Sequence, residues 1–572
     1  MQRGEHLQAY DTAMLLLESG ERPVFLAHAA VLCLARAGAI DHARREYVRL
    51  GLSGASDDHA AATLGARLLK DVALSAVGPR RRAFAKASAD GYAAVWSRHG
   101  DLYSAINVAT MRLLAGEGDA ARAFAQIALT LPIQAETGEA AYYDGASRAE
   151  ASILLGKVDA ARDLMIQAMA QAPRSFVAHA STLRQLETIQ RETGEPSAWL
   201  DAFRPPVSAH FTGHIFAEQD GPSPDKLNEI RLGMRHAIAD ARVGFGYGAL
   251  AAGGDILWAE ALLEAGAELH VVLPTSLASF LETSVRPFGK GWETRFEACL
   301  ARTQSVRLAG KDPYAGDDRV FAYSSQYAIG CAVLRAESLE TEAVQLALWD
   351  GQGGDADVGV GADVTYWSRT GRRQWVTPFD APRGPRPAHC PATGRRATKA
   401  MLFVDVRGFS ALRDDQAPAF FDAVMSQIAR TLEGLSSPPE HIETWGDGVF
   451  LVFAEVAQAA EAALALLEGH RKLNLPSYDL PRGLGLRIGG HYGPVHLRVN
   501  PILRTPAVVG AHVVVAARIE PNAAPGSACV SEALAGVLAT FHGDRFACGY
   551  VGRTAQRRDF PPMPIFHLSR RP

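Results

Sequence analysis

The sequence predicts a multidomain chain with an all-α first part, a doubly wound α/β middle and a C-terminal part that mixes strands with helices. Three observations carry this. Helical stretches rich in Ala, Leu, Arg and Glu follow one another through residues 1–203. From 209 to 379 short apolar runs alternate with helical ones, the pattern of helices set between parallel strands. After a proline-rich stretch, 380–399, apolar strand-like runs in 400–572 end on Asp and Gly.

Composition bounds the function. At 572 residues several domains are expected, and 48% apolar with 21% charged residues is the balance of ordinary globular domains. A formal net charge of −4 gives no electrostatic case for nucleic acid or an anionic membrane, and Arg80-Arg81-Arg82 and Arg395-Arg396 read as solvated faces or linker. Cys33, Cys299, Cys331, Cys390, Cys529 and Cys548 are scattered without metal-ligand spacing, as in cytosolic proteins. The first residues lack the apolar core of a signal peptide, and no window offers about eighteen uninterrupted apolar residues. A cytoplasmic protein with no membrane insertion is expected.

In the first part, an apolar helix repeatedly ends near Gly and a short step leads through Asp into Ala-Arg. Ala35–Arg44, Leu114–Arg122 and Leu155–Arg162 are the instances. Glycine to end one helix and Asp to cap the next suit stacked helix pairs. The pattern resembles tetratricopeptide-type repeats, and the runs Ala66–Asp71 and Asp101–Thr110 are similar to the degenerate repeat region that precedes signalling domains. The resemblance implies a concave face for a protein partner; an inert scaffold or a dimerisation surface is the alternative.

In the middle part, Arg204-Pro205-Pro206 ends the helical region. Strands are expected at Phe211–Phe216, Val243–Tyr247, Leu269–Leu273, Gln345–Trp349 and Gln374–Val376, with helices at Pro224–Ala241 and Ile256–Ala265. Two glycine-rich turns, Gly244–Asp255 and Asp350–Asp355, would fall at strand ends, where backbone N–H groups suit a phosphate and tight packing is the alternative. The run Gly253–Glu260 leading into Leu269–Pro274 resembles the Rossmann-like nucleotide-sensing (SLOG, LOG-like) superfamily. That resemblance implies a nucleotide-type ligand for 209–379 and transfers no catalytic residue. Residues 380–399 read as an extended linker that either holds two domains apart or transmits an input.

In the last part, Met401–Val406 is apolar around Asp405, as a strand buried on both faces would be. Arg407-Gly408 breaks it where Phe409 and Ser410 open a helix. Ile442–Trp445 and Val449–Phe453 read as strands joined at Gly446-Asp447. Two carboxylates on neighbouring strand ends, with glycines leaving room for a large anion, suit a pair of magnesium ions holding a triphosphate; ordinary turn aspartates are the bland alternative. Phe403–Ser410, then Glu443–Asp447, then Arg487–Val495, Gly510–Glu520, Pro525-Gly526 and Val530–Glu532 come in an order that resembles the class III nucleotidyl cyclase domain. The resemblance runs from about Ala397 to Arg571 and implies an α+β, ferredoxin-like fold.

What the resemblance implies for the site is specific. Asp405 and Asp447 bind two Mg2+ or Mn2+ ions per site, assisted by the Val406 carbonyl. The Arg407–Ser410 backbone, with Gly408, Phe409 and Ser410, lies under the phosphates. Each site is shared across a homodimer. Arg518 from the second copy meets the α-phosphate, and Arg558, not separable from Arg557, meets the triphosphate. Val514 stands where the family has a ribose-orienting Asn, with His512 and Asn522 as possible substitutes. Glu443 stands at the purine-reading position, as in guanylate cyclases, while Ala507 at the second reading position offers no side-chain hydrogen bond. The mixture places ATP first and GTP close behind as the substrate converted to a 3′,5′-cyclic nucleotide and pyrophosphate. Val514 and Ala507 motivate the alternative of a catalytically silent, nucleotide-binding dimerisation module; a third reading makes the middle domain the enzyme.

Overall fold

The computed structural model describes residues 6–18, 23–36, 39–55, 57–133, 137–352, 358–379, 396–554 and 561–571. Among them the first part is helical throughout, with helix pairs such as Leu102–Ala115 with Gly118–Thr130 and Gly138–Leu154 with Val158–Gln171. Gly116 and Gly156 follow their helices with φ of 85° and 72°, the left-handed conformation that a helix stop needs and only glycine adopts freely. The expected Asp caps are each displaced by two positions. Asp41, Asp119 and Asp159 lie inside the first turn, where they favour the helix dipole, while Ala39, Glu117 and Lys157 hold the cap position without a side-chain bond. True caps are Asp58 and Asp101, which accept the backbone N–H of Ala61 and Ser104.

The middle part contains a six-stranded parallel sheet. Its strands are β1 (Val207–Gly213), β2 (Val243–Gly248), β3 (Glu268–Leu273), β4 (Ser305–Leu308), β5 (Ala343–Trp349) and β6 (Gln374–Pro378), in the order β4-β3-β2-β1-β5-β6. The first strand begins and ends earlier than Phe211–Phe216. It stops at Gly213 because the start of helix Gly254–Glu264 crosses there so closely that a Cβ on Gly213 would lie 2.5 Å from the Gly254 Cα. Of the second glycine-rich turn, Gly353, Gly354 and Asp355 lie outside the described residues, as do 380–395 of the expected linker. Of the remaining linker residues 396–399, Ala397, Thr398 and Lys399 are not linker: they pair with Val495, Pro494 and Gly493.

The C-terminal sheet is mainly antiparallel. It comprises β7 (Ala397–Arg407), β8 (His441–Trp445), β9 (Gly448–Phe453), β10 (Gly485–Val499), β11 (Pro506–Val509), β12 (Ser527–Ser531), β13 (Phe546–Arg553) and β14 (Pro564–Arg570). Their order is β13-β14-β12-β10-β7-β9-β8, with β11 paired to β10. β7 is central, as its apolar run requires. Phe409 and Ser410 open only one 3-10 turn, Phe409–Ala411, and the helical run proper begins at Ala417, beside Pro418. Proline is at home in a first helical turn, which fixes the start there rather than at Phe409.

The two sheets are not held apart. Helix Arg319–Ser338 of the middle part packs on helix Glu532–Phe541, and Ile329 and Val333 share one buried cluster with Leu402, Val404, Leu534 and Leu538. The helices touch at two glycines: a Cβ on Gly330 would lie 2.7 Å from the Gly536 Cα. Among the described residues no helix is long and apolar enough to cross a membrane.

Candidate active site

The site grows out of β7. Its antiparallel partners set the register: Val404 opposes Val449 on β9, and Trp445 opposes Gly448 across the two-residue turn Gly446-Asp447. Asp405 and Asp447 therefore emerge side by side from neighbouring strand ends. Gly446 makes the turn possible with φ of 63°, and Gly448 lets the Trp445 indole lie on its backbone. Burial holds the Asp447 carboxyl above its ordinary value, and the adjoining Asp405 carboxylate adds to this; the backbone N–H groups of Asp447 and Val406 work in the opposite direction. Two acids so close disfavour joint ionisation unless positive charge arrives.

Part of that charge comes from Arg487, the direct cross-strand partner of Asp405 on β10. Its Nη2 donates to Asp405 Oδ2 at 2.5 Å, and its Nε lies 2.8 Å from Glu520 Oε1 without the alignment of a hydrogen bond. Glu520 is buried, and its carboxyl is pushed up to about 7. Burial is the largest cause; Arg487 opposes it, and the charges of Asp405 and Asp447 reinforce it. Gly489 permits this arrangement, since a Cβ there would lie 2.2 Å from the Glu520 backbone nitrogen. Arg487 and Glu520 were not assigned a site role from sequence. The signal was available as an Arg set between the apolar Leu486 and Ile488.

The other expected residues fall in three groups. Val406 is buried, and Gly408 turns the chain with φ of 95° beside Leu484, which places Phe409 and Ser410 directly after the Asp405 strand end. Glu443 is exposed on β8, with one carboxylate oxygen 2.8 Å from His441 Nε2; β11, which carries Ala507, packs against β8. Val514, 48% exposed, and Arg518 sit one turn apart on helix Ala511–Ile519, next to Glu520. Arg557 and Arg558 lie outside the described residues.

The two candidates for replacing the missing Asn are engaged elsewhere. His512 Nδ1 lies 2.8 Å from His491 Nε2, the two rings stack, and Tyr323 of the middle part meets the His512 ring edge-on at 5.1 Å. Asn522 donates its amide to the Arg518 carbonyl at 2.8 Å and so closes its own helix end.

The donor set fits a hard divalent ion. Among the described residues no cluster of three or more His, Cys, Asp and Glu is arranged to hold a metal. What the site offers is oxygen only: two adjacent carboxylates with an excess of negative charge. Magnesium is commonly held by one or two carboxylates, with water and substrate phosphates completing the octahedron. Asp405 and Asp447 would hold it.

Against curated proteins the chain has no match. Three similar solved structures are the adenylyl cyclase CyaB from P. aeruginosa, the guanylate cyclase domain of RhGC from Catenaria anguillulae in complex with GTP, and the guanylyl cyclase Cya2. CyaB is 16% identical, with 31% of this chain and 95% of that chain covered and a TM-score of 0.27. For the RhGC domain the values are 18%, 31%, 98% and 0.27. For Cya2 they are 21%, 31%, 93% and 0.25. Residues 394–555, which contain Asp405, Asp447, Arg487, Val514, Arg518 and Glu520, match the family model described as the adenylate and guanylate cyclase catalytic domain.

Proposed function

We infer that the C-terminal domain is a nucleotidyl cyclase that turns a nucleoside triphosphate into a 3′,5′-cyclic nucleotide and pyrophosphate. The observation that carries this is the meeting of Asp405 and Asp447 at adjacent strand ends, with the Asp405 charge felt at Asp447. When bound there, two Mg2+ or Mn2+ ions supply a lowered pKa at the ribose 3′-hydroxyl and charge neutralisation at the leaving group. Asp405 and Asp447 hold the ions, with the Val406 carbonyl assisting, and Arg487 fixes the Asp405 carboxylate. The backbone from Arg407 to Ser410 receives the phosphates, and Arg558 supplies further positive charge.

Arg518 acts from a second copy of the chain, where it stabilises charge on the α-phosphate. Supporting this, Trp445, Val509 and Val514 are exposed apolar side chains near the candidate site, and Leu497, Ile502 and Leu503 extend from the β10–β11 hairpin. A two-fold dimer makes both sites equivalent. ATP is the first substrate and GTP the second: Ala507 reads no base edge, and Glu443 already shares an oxygen with His441. The helical pairs serve as a surface for a protein partner, and the whole works as a cytoplasmic signalling enzyme.

Val514 favours one other reading. His512 and Asn522 are bound elsewhere, so neither of these two candidates replaces the ribose-orienting Asn, as expected of a domain that binds nucleotide and dimerises without turnover. Mass spectrometry of products from a mixture of the four NTPs, with Mg2+ or Mn2+, separates the two. A cyclic nucleotide supports the enzyme; nucleotide binding without pyrophosphate release supports the silent module.

A further inference from the structure

Helix Ala511–Ile519, which carries Val514 and Arg518, is held differently at its two ends. Toward the C-terminal end, Ala516 and Ile519 are buried in apolar clusters of the C-terminal domain itself. The first turn has weaker support of that kind. Gly510 stands at its cap position without a side-chain hydrogen bond, Ala511 and Val514 are exposed, and Val513 is only partly buried. His512 ties this turn down. Its ring stacks on His491 with planes 7° apart and Nδ1 lies 2.8 Å from His491 Nε2, while His491 Nδ1 lies 2.8 Å from Ser531 Oγ. Gly493 makes room for the stack, since a Cβ there would lie 2.3 Å from His512 Nδ1. Burial pushes His512 down to about 4 and His491 well below its ordinary value, so both rings are uncharged near neutral pH and stack without repulsion.

The remaining ring at this point comes from the middle part. Tyr323, on helix Arg319–Ser338, meets His512 at 5.1 Å with ring planes 83° apart, the edge-to-face arrangement that aromatic rings favour. Tyr323 is itself fixed: it is buried, and its hydroxyl donates to the Tyr492 carbonyl at 3.0 Å. Its helix neighbours Phe321, Ser324, Ser325 and Ala328 line a cavity of about 490 Å3 in the middle part, so the tyrosine is carried on the wall of a ligand-sized space.

We propose that Tyr323 is a positioning residue for the cyclase site: by holding His512 it fixes the first turn of helix Ala511–Ile519 and with it the place from which Arg518 enters the partner's site. This rests on the cyclase reading of the C-terminal domain. Arg518 lies six residues beyond His512, about 9 Å along the helix axis, so a shift of the first turn is carried to it by the helix itself. A misplacement of about 1 Å at a reacting centre costs about a hundredfold in rate. Because the contacts lead to the Arg518 helix, loss of Tyr323 impairs the half-site that a chain lends to its partner.

The test uses the full chain with Mg2+ and with ATP and GTP in turn. Tyr323→Leu is expected to lower kcat at least about tenfold with KM within about threefold, and Tyr323→Phe, which keeps the ring on His512, to stay within about threefold of wild type. Mixing separates positioning from general damage. With Asp405→Asn, whose chain keeps Tyr323 and Arg518, Tyr323→Leu should gain about a quarter of wild-type activity, and with Arg518→Ala it should gain none. Under conditions where Asp405→Asn and Arg518→Ala restore each other, gain with Arg518→Ala, gain with neither, or an unchanged kcat in Tyr323→Leu overturns the proposal. Hydrogen exchange reads the same contact without turnover. The amides of Val515 and Ala516 should open at least about tenfold more often in Tyr323→Leu, and in wild type no more than about tenfold more often than those of Arg518 and Ile519. If the wild-type chain forms no cyclic nucleotide, or the two reference variants do not restore each other, the cyclase reading fails and exchange decides the positioning role: equal exchange in wild type and Tyr323→Leu overturns it. His512→Leu stands in if Tyr323→Leu does not fold by circular dichroism, and if neither folds the wild-type exchange pattern decides.

Discussion

The junction between the two sheets contains a largely buried ion pair whose removal has a calculable effect. Arg307, on the edge strand β4, places Nε 2.8 Å from Glu532 Oε2 and Nη2 3.1 Å from Oε1, while the Tyr327 hydroxyl donates to Oε2 at 2.6 Å. The side chains are only 23% and 10% exposed. Arg307→Met keeps most of the apolar stem but leaves a buried carboxylate with only the Tyr327 hydroxyl and the neighbouring Cys331 thiol from this cluster, and no cation. Breaking a buried pair costs roughly 3–5 kcal/mol. The partial exposure of Arg307, the retained tyrosine bond and the helix dipole at Glu532 place the value near the lower end, about 3 kcal/mol. Arg307→Met/Glu532→Leu removes the stranded charge and is expected to recover about 2 kcal/mol of that. Since a multidomain chain does not unfold in one step, hydrogen exchange on helix Glu532–Phe541 is the assay. Opening is expected to be more than about a hundredfold more frequent in the single variant and largely restored in the double. Exchange within about threefold of wild type in Arg307→Met, or additive effects in the pair, refutes the reasoning.

Other consequences are equally direct. His270, buried with Nδ1 2.8 Å from Ser305 Oγ, is held down to about 3 by burial first and then by Arg307 and Arg335, which outweigh Glu268 at 3.6 Å. Its folded pKa is depressed, so its contribution is fully present above about pH 6.5 and lost as pH falls below it. At pH 5.5 the loss is ~1.4 kcal/mol, and melting curves should show a smaller drop in His270→Asn between pH 7 and 5.5; an unchanged drop contradicts this. Gly489→Ala forces a methyl within 2.2 Å of the Glu520 nitrogen and should lower stability by about 2 kcal/mol, seen as a lower Tm; a shift under about 1 °C counts against the close approach. Val514→Asn should raise cyclic nucleotide formation by about tenfold by orienting the ribose, whereas no gain points to the silent module.

Much of the site was legible because its signals are local. An apolar strand interrupted by Asp405 and a glycine turn at Asp447 mark strand ends without any knowledge of partners, and β7, β8 and β9 form where those patterns lie. Arg487 and Glu520 were not recognised because their importance depends on pairing across 82 and 33 positions, which no local window contains. Helix Arg319–Ser338 escaped for another reason. It is buried toward both sheets, so its Ala, Ser, Gly and Cys residues have no polar face to set a helical period. The cap positions of Asp41, Asp119 and Asp159 were misplaced because the cap and these first-turn acids differ by only two residues, and only backbone geometry separates them.

The central claim is that Asp405 and Asp447 of one chain work with Arg518 of another. Mixing the inactive variants Asp405→Asn and Arg518→Ala tests it most directly, with cyclic nucleotide as the readout. If subunits exchange at random, half of the dimers are mixed and one of their two sites is intact, so about a quarter of wild-type activity should return. Folded, dimeric variants that stay inactive in every mixture contradict the account.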